Sequence, residues 1–428
     1  LKIVVINQPM DMLLPPHQNS IGIWTYKIAP HLARDHDLLV VGKKSGAQRD
    51  GVERDGARYD FAPRVVPNRA VIRGLDRLSD QTGRHRLPSY ASRLAYLDYA
   101  LQSAWRARSF QADIVHIHNF SQFVPTVHRL RPQARIVLHM ACEWLNQLDY
   151  GVIDKRLSQV DLVVGCSEYI TEKVAKRFPH HAERCATVHN GVDVDRFQPG
   201  PTAGNGTGST SPAGDTATKR VLFVGRVSPE KGVHDLIDAF TLVAREVPNA
   251  VLDVAGPLDS LPREFIVDVT DDPEIGELDR FYGATDYLTA LRDRIPAQLR
   301  ERVRFLGGVP QDELVALYNQ ADVLVNPSYS EAFGMSLVEA LACETPVIAS
   351  RVGGMVEIVG HDESVGLLYE RGDVDGLAGS LVRLLSDDKY RASAGRTGRD
   401  HVRRRFGWGP VSRSLVHEYE ELWIRDAG

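Results

Sequence analysis

Short runs of β-branched and other apolar residues alternate along this chain with longer stretches in which apolar residues recur every three or four positions. In the first half the runs are KIVVI (2–6), DLLVVG (37–42), ADIVHIHN (112–119), ARIVLHM (134–140) and DLVVGCS (161–167). Such runs read as parallel strands buried on both faces. Between them IGIWTYKIAPHLAR and YASRLAYLDYALQSAWRAR carry helical spacing, and the β-α-β alternation predicts a Rossmann-like sheet. The stretch 199–219, rich in Gly, Pro, Ser and Thr, breaks the pattern as a flexible linker would. Beyond it the alternation restarts with RVLFVG (220–225), AVLDVAG (250–256), RVRFLGG (302–308), ADVLVNPS (321–328) and TPVIAS (345–350). The prediction is an α/β chain of two Rossmann-like parallel-sheet domains, 1–198 and 220–409, facing across a deep cleft that is the default active site.

Composition changes this picture little. The 428 residues suffice for two or three domains, and 43% apolar with 25% charged residues is ordinary for a soluble globular chain. Cys142, Cys166, Cys185 and Cys343 form no CxxC pair, so neither a disulfide framework nor a zinc site is expected. No apolar run reaches the ~18–20 residues of a membrane span, and Leu1 leads directly into KIVVI, so a cytoplasmic protein is expected. Charge is more informative. Residues 1–200 hold 27 Lys and Arg against 20 Asp and Glu, whereas residues 201–428 hold 24 against 36. That split argues against a nucleic-acid partner and allows the first half to face an anionic acceptor or the inner face of a membrane. Two long segments stand out: 43–93, with Arg64, Arg69, Arg73, Arg77, Arg84, Arg86 and Arg93, and the acidic 257–290. Both read as insertions that shape substrate choice or as oligomer contacts.

Two constellations carry chemistry. In SEAFGMSLVEALACETPVIAS (330–350) a strand ends, Gly334 permits a tight turn and an amphipathic helix begins. Glu331 sits at the helix entrance and Glu339 roughly 12 Å further along, at ~1.5 Å rise per residue. The amides of Ala332, Phe333, Gly334 and Met335 could hold a phosphate between these carboxylates. In GRVSPEKG (225–232), Arg226 and Lys231 leave a strand end together and could neutralise one diphosphate without a metal. Taken singly, each feature also reads as a helix-dipole contact or a surface ion pair. A dinucleotide-dependent oxidoreductase is disfavoured because IGIWTYK lacks GxGxxG after the first strand.

GRVSPEKG, the Glu-x7-Glu segment, HNGVDVDRF (189–197), RVGGMVEIV (351–359) and GLLYERGDVDGLA (366–378) follow one another in an order that resembles the retaining GT-B glycosyltransferases of family 4. The resemblance spans nearly the whole chain apart from the two insertions and the linker. It implies transfer of a hexosyl unit, with retention, from a nucleoside diphosphate sugar to a hydroxyl acceptor. UDP-glucose or UDP-N-acetylglucosamine would be the donor, with GDP- and ADP-sugars open. The second domain would bind the donor and the first the acceptor, the latter completed by a C-terminal helix within 410–428. Arg226 and Lys231 would contact the diphosphate, Glu331 the transferred sugar, Glu339 the ribose, the 332–335 amides phosphate and sugar, and the Val309 backbone the base.

In the first domain His118 of VHIHN matches the family's histidine that leans toward the donor sugar, giving a catalytic set of His118, Arg226, Lys231 and Glu331. His116 is expected on the opposite face of that strand. His139 and Glu143 of LHMACEW are further acceptor candidates. Where the family usually has Gly-Gly in the first β-α loop this chain has Asn19 and Ser20, with Gly22 nearest, so His17, Gln18, Asn19, Ser20 and Gly22 are expected to meet the acceptor. No DxD cluster stands where a divalent metal would be needed, and neither a metal nor a bound cofactor is expected. A donor-binding scaffold without turnover is the alternative.

Overall fold

The computed structural model describes residues 1–15, 18–46, 48, 50–63, 91, 96–200 and 218–424. His17, the arginines of 64–93 and nearly all of the expected linker 199–219 lie outside the described residues. The chain forms two compact units, Leu1–Gly191 with Trp408–Gly428, and Val192–Gly407.

In the first unit, strands β1 (Lys2–Ile6), β2 (Asp37–Lys43), β3 (Val52–Arg54), β4 (Ala57–Ala62), β5 (Ile114–His118), β6 (Arg135–Met140), β7 (Leu162–Gly165) and β8 (Cys185–Thr187) form one sheet. Its order is β3-β4-β2-β1-β5-β6-β7-β8, parallel throughout except for the β3/β4 edge. The apolar runs account for β1, β2, β5, β6 and β7, whose inner residues are buried on both faces as doubly covered strands require. Helix α1 (Ser20–Leu32) follows β1 and packs Trp24, Ile28 and Leu32 onto the sheet; α2 (Leu97–Phe110) and α3 (Glu168–Arg177) follow in chain order. The C-terminal helix Trp408–Ile424 belongs to this unit. Its Val411, Leu415, Tyr419 and Leu422 form one helical stripe within the same core.

The second unit holds β9 (Lys219–Val224), β10 (Ala250–Ala255), β11 (Val303–Gly307), β12 (Val323–Asn326), β13 (Val347–Ser350) and β14 (Gly366–Tyr369), all parallel, in the order β11-β10-β9-β12-β13-β14. This is the doubly wound order, reversing between β9 and β12. Helices α4 (Val233–Glu246), α5 (Met335–Ala342), α6 (Val374–Ser386) and α7 (Asp388–Arg405) accompany it. The segment Val194–Phe197 belongs here because the Arg399 guanidinium on α7 donates to the carbonyls of Val194, Phe197 and Ala342. The acidic 257–290 stretch is not a bare loop: Leu278 and Tyr287 are buried in the core of this unit.

All four cysteines are free. Among the described residues no helix is long and apolar enough to cross a membrane.

Candidate functional site

In doubly wound sheets, ligands gather outside the carboxyl ends of the strands where the strand order reverses. In the second unit that point lies between β9 and β12, and the loops leaving these two strands carry the residues singled out from sequence. After β9 the chain turns through Pro229–Lys231 into α4, and Gly232 caps the helix at φ +66°. A Cβ on Gly232 would lie 2.0 Å from the Pro327 carbonyl oxygen. The close approach of the two loops therefore requires glycine. Gly334, at φ +110°, likewise caps α5 with no side chain. Two helix amino ends whose cap residues carry no side chain thus meet at one switch point; in α4 the His234 amide donates to the Tyr287 hydroxyl, so the amides suited to an anion are those leading into α5.

Lys231 and Glu331, 100 positions apart, meet here with Nζ 2.8 Å from Oε2. Burial alone would lower the Lys231 ammonium, but Glu331 and Glu230 outweigh it, even against Arg226, and hold its pKa above the ordinary lysine value. Lys231 therefore stays charged. Glu230, buried beside it, accepts from the Ser228 hydroxyl through Oε2, and among the described residues its Oε1 has no partner. Arg226 is exposed, reaching the Asp259 carbonyl at 3.4 Å.

The second carboxylate of the Glu-x7-Glu pair is buried. Glu339 accepts from the Tyr318 hydroxyl at 2.7 Å, and burial pushes its pKa up to about 7 even though Tyr318 and Arg196 pull it down. Ala332 and Phe333 lie between Glu331 and Gly334, and the Glu331 carbonyl accepts from the Gly354 amide. Val309 follows β11 at the sheet edge, half-buried. The acidic insertion is tied to this site by Arg371, which bonds Asp272, Glu274 and the Tyr329 carbonyl.

In the first unit the order reverses between β1 and β5, and His118 ends β5. The expectation for His116 is corrected: positions two apart on a strand share a face. The His116 and His118 rings lie 4.7 Å apart, with His139 of β6 at 5.2 and 5.0 Å. Trp24 stacks on His116 and meets the other two edge-on. His116 bonds the Tyr419 hydroxyl through Nδ1 and His139 Nδ1 through Nε2; His118 Nε2 meets the Thr25 hydroxyl. Among the described residues His118 Nδ1 and His139 Nε2 have no partner. Burial holds all three pKa values far below the ordinary histidine range, about 3 for His139, so the rings are neutral.

Above these rings the β1–α1 loop is knit by side chains. Asn19 caps α1 by accepting from the Gly22 amide and donates to Asp11, which also accepts from Gln8, itself bonded by Asn119. Asn119 sits at φ +54°, a strained setting for a non-glycine residue that often marks functional sites. Gln18 donates to the Leu13 carbonyl, and Ser20 begins the helix. A Cβ on Gly22 would lie 2.3 Å from the Met12 carbonyl oxygen, so this loop could not seat on α1 without glycine. Glu143 is held by Lys173 and the Tyr169 hydroxyl. A cavity at the amino ends of the first-unit strands, lined among others by Lys2, Asp37 and Asp113, holds none of these residues.

Comparison with known proteins decides the family. Residues 21–196 match the family described as Glycosyltransferase Family 4, and residues 211–401 match Glycosyl transferases group 1. The chain belongs to the family 4, group 1 glycosyltransferases. The D-inositol 3-phosphate glycosyltransferase of Corynebacterium urealyticum is 30% identical over 269 residues, 62% of this chain and 58% of that one. The spore coat protein SA of Bacillus subtilis is 24% identical over 94% of both chains. Among solved structures, sucrose-phosphate synthase from Thermosynechococcus elongatus overlays with a TM-score of 0.71 at 21% identity, covering 99% of this chain and 100% of that one. Anabaena HepE in complex with UDP overlays at 0.67 and 18% identity, covering 98% and 100%. These overlays establish the GT-B fold for the family 4 chain.

Sequence reasoning missed Glu230, Tyr318 and Arg371 in the second unit and Asp11, Trp24 and Tyr419 in the first. Glu230 adjoins Lys231 and was within reach of a local reading. Tyr318 reaches Glu339 across 21 positions and Tyr419 reaches His116 across 303, with no local signal for either.

Proposed function

We propose that this chain is a retaining hexosyltransferase that takes its sugar from a nucleoside diphosphate donor, UDP-glucose or UDP-N-acetylglucosamine first, GDP- or ADP-sugars second. The observation that carries the reading is the meeting of Lys231 and Glu331 beside two helix amino ends without side-chain caps at one switch point. Without ligand, Glu331 balances the Lys231 charge. A bound diphosphate takes over that role, freeing Glu331 to accept hydroxyls of the sugar. Lys231, Arg226 and the amides of 332–335 then oppose the charge that builds on the leaving phosphate, so the reaction needs no metal. The Val309 backbone meets the base, and Glu339 the ribose.

The first unit binds the acceptor, through the β1–α1 loop with His17, Gln18, Asn19, Ser20 and Gly22, and through His139 and Glu143. The arginine surplus of 64–93 favours an anionic acceptor. His118 contributes to transfer as a neutral imidazole, which does not repel the positive charge of an oxocarbenium-like sugar. The bond from the anomeric carbon to the leaving phosphate breaks, the acceptor oxygen attacks from the same face, and its proton passes to the leaving phosphate. No carboxylate nucleophile is assigned.

The test is release of nucleoside diphosphate from a donor panel in the presence of acceptor and EDTA, with the product's anomeric configuration read by NMR. Retained configuration is expected, and Lys231→Ala should lower turnover roughly 100-fold or more, as loss of one preorganised charge does. Wild-type turnover in that variant would overturn the site. Donor binding without turnover would make the chain a scaffold.

A further inference from the structure

The motif HNGVDVDRF and the buried hydroxyl of Tyr318 are among the features that the proposed function leaves without a role. The structure joins them. Phe197 packs edge-on against the Tyr318 ring at 5.9 Å, and Arg196, one residue before, exerts its charge on Glu339. Tyr318 is itself fully buried on the helix Gln311–Gln320, with its carbonyl held by the Thr345 hydroxyl at 2.7 Å. Its own hydroxyl is directed at Glu339 Oε2, and among the described residues Oε1 of Glu339 has no partner.

We infer that Tyr318 is the positioning residue for the carboxylate that reads the donor's ribose: its hydroxyl fixes one oxygen of Glu339 and leaves the other to the nucleotide. The inference rests on the proposed Glu339–ribose contact. The physical argument is short. A carboxylate at this depth is disfavoured as an anion unless hydrogen bonds or opposite charge compensate, and a ribose hydroxyl needs an anion or lone pair to donate to. The protonated acid would spend its proton as a donor and lose half of that recognition. The charged and titratable groups around Glu339 are few. Tyr318 comes from Gln311–Gln320, Arg196 from the segment that α7 clamps, Cys343 from the end of α5 with Arg399 of α7 beside it, and Glu357 is the one charged residue of the short helix Met355–Val359. Strands β12 and β13 contribute none. Tyr318 is the one that bonds the carboxylate directly, so donor binding should depend on pH near neutrality and Tyr318 should set where.

The experiment measures binding of UDP, GDP and ADP to the full chain by calorimetry from pH 5.5 to 9, carrying forward whichever binds tightest. Wild type, Tyr318→Phe and Glu339→Gln are compared at matched melting temperature controls. The nucleotide's own phosphate titration is common to all three. In wild type, affinity should fall as pH drops through neutrality beyond what Glu339→Gln shows. In Tyr318→Phe affinity at pH 7 should be about tenfold weaker, the loss of one hydrogen bond to a charged group. The break should move about one pH unit upward, with affinity recovering toward wild type at pH 9 and kcat at saturating donor nearly unchanged. A loss of affinity that is equal at every pH would make Tyr318 merely structural and overturn the inference. If Glu339→Gln binds as wild type does, or no nucleotide binds, the donor-site reading itself fails; if Glu339→Gln loses affinity while Tyr318→Phe does not, only the role of Tyr318 falls.

Discussion

Glu339 places stability and chemistry in opposition. Its carboxyl is raised from 4.5 to about 7 by burial, so the folded chain holds this proton more tightly than the unfolded chain does. The sign follows: the group costs the fold nothing below the unfolded value and destabilises it progressively as pH rises from there to about 7. Glu339→Gln, which keeps an acceptor for Tyr318, should therefore raise the melting temperature at pH 8 and change it little at pH 4.5, while weakening nucleotide binding. An equal shift at both values would mean that the carboxylate carries no such cost. At this scale the sequence was partly legible. Lys231, Glu331 and Glu339 stood in recognisable spacing, but their states did not, because the ionisation of Lys231 depends on Glu331 from 100 positions away. His116 was misplaced through its face on β5, a matter of period two rather than of missing information.

The elements were more legible than the side chains. Ten apolar runs each became a strand, most because a strand covered by helices on both faces must be apolar; the edge strand Val303–Gly307, exposed at Arg304 and Leu306, is the exception. Those that escaped were short or interrupted by charge: Val52–Arg54 and Cys185–Thr187 are three residues long and Gly366–Tyr369 four, and Ala57–Ala62 alternates Arg58 and Asp60 with its apolar residues. The C-terminal helix shows what packing adds. Leu415 is fully buried in the first unit's core, so Leu415→Ala should cost about 2–5 kcal/mol and lower that unit's unfolding midpoint in urea. An unchanged midpoint would separate the helix from that core. The Arg371 tie to Asp272 and Glu274 is half-exposed and should be worth only about 1 kcal/mol to global stability. Its effect should instead be local. Arg371→Ala should speed protease cleavage within 257–290 several-fold while the melting temperature hardly moves, and a protection pattern identical to wild type would deny the tie any role in ordering the insertion.

For the whole molecule, buried histidines dominate the response to mild acid. His116, His118, His139 and His234 are all held neutral by burial, the last two with pKa values of about 3. Below about pH 6.5 the unfolded chain takes up protons that the folded chain refuses, so stability falls with pH by up to about 1.4 kcal/mol per unit for each histidine. Glu339 works the other way over the same range, but it is one group against four. Urea unfolding should thus show a marked loss of stability between pH 7 and 5.5, and a flat or rising profile would contradict the neutral assignment of these rings. Three of them gather at the end of β5, so the same burial that sets this slope keeps His118 uncharged, as its proposed role requires.

Both units bring polar side chains to the reversal of their strand order, but among the described residues only the second presents an ammonium, a guanidinium and two helix amino ends without side-chain caps around one point. The most direct test of that claim is a thermal-shift comparison of UDP, GDP, ADP and TDP on wild type and Lys231→Ala, in EDTA. A ligand at 100 times its dissociation constant adds about 2.7 kcal/mol, a readily measured shift. The account predicts that at least one nucleotide stabilises the wild type without metal and that Lys231→Ala loses most of this response. Stabilisation that survives the substitution, or a folded wild type that responds to no nucleotide, would contradict it.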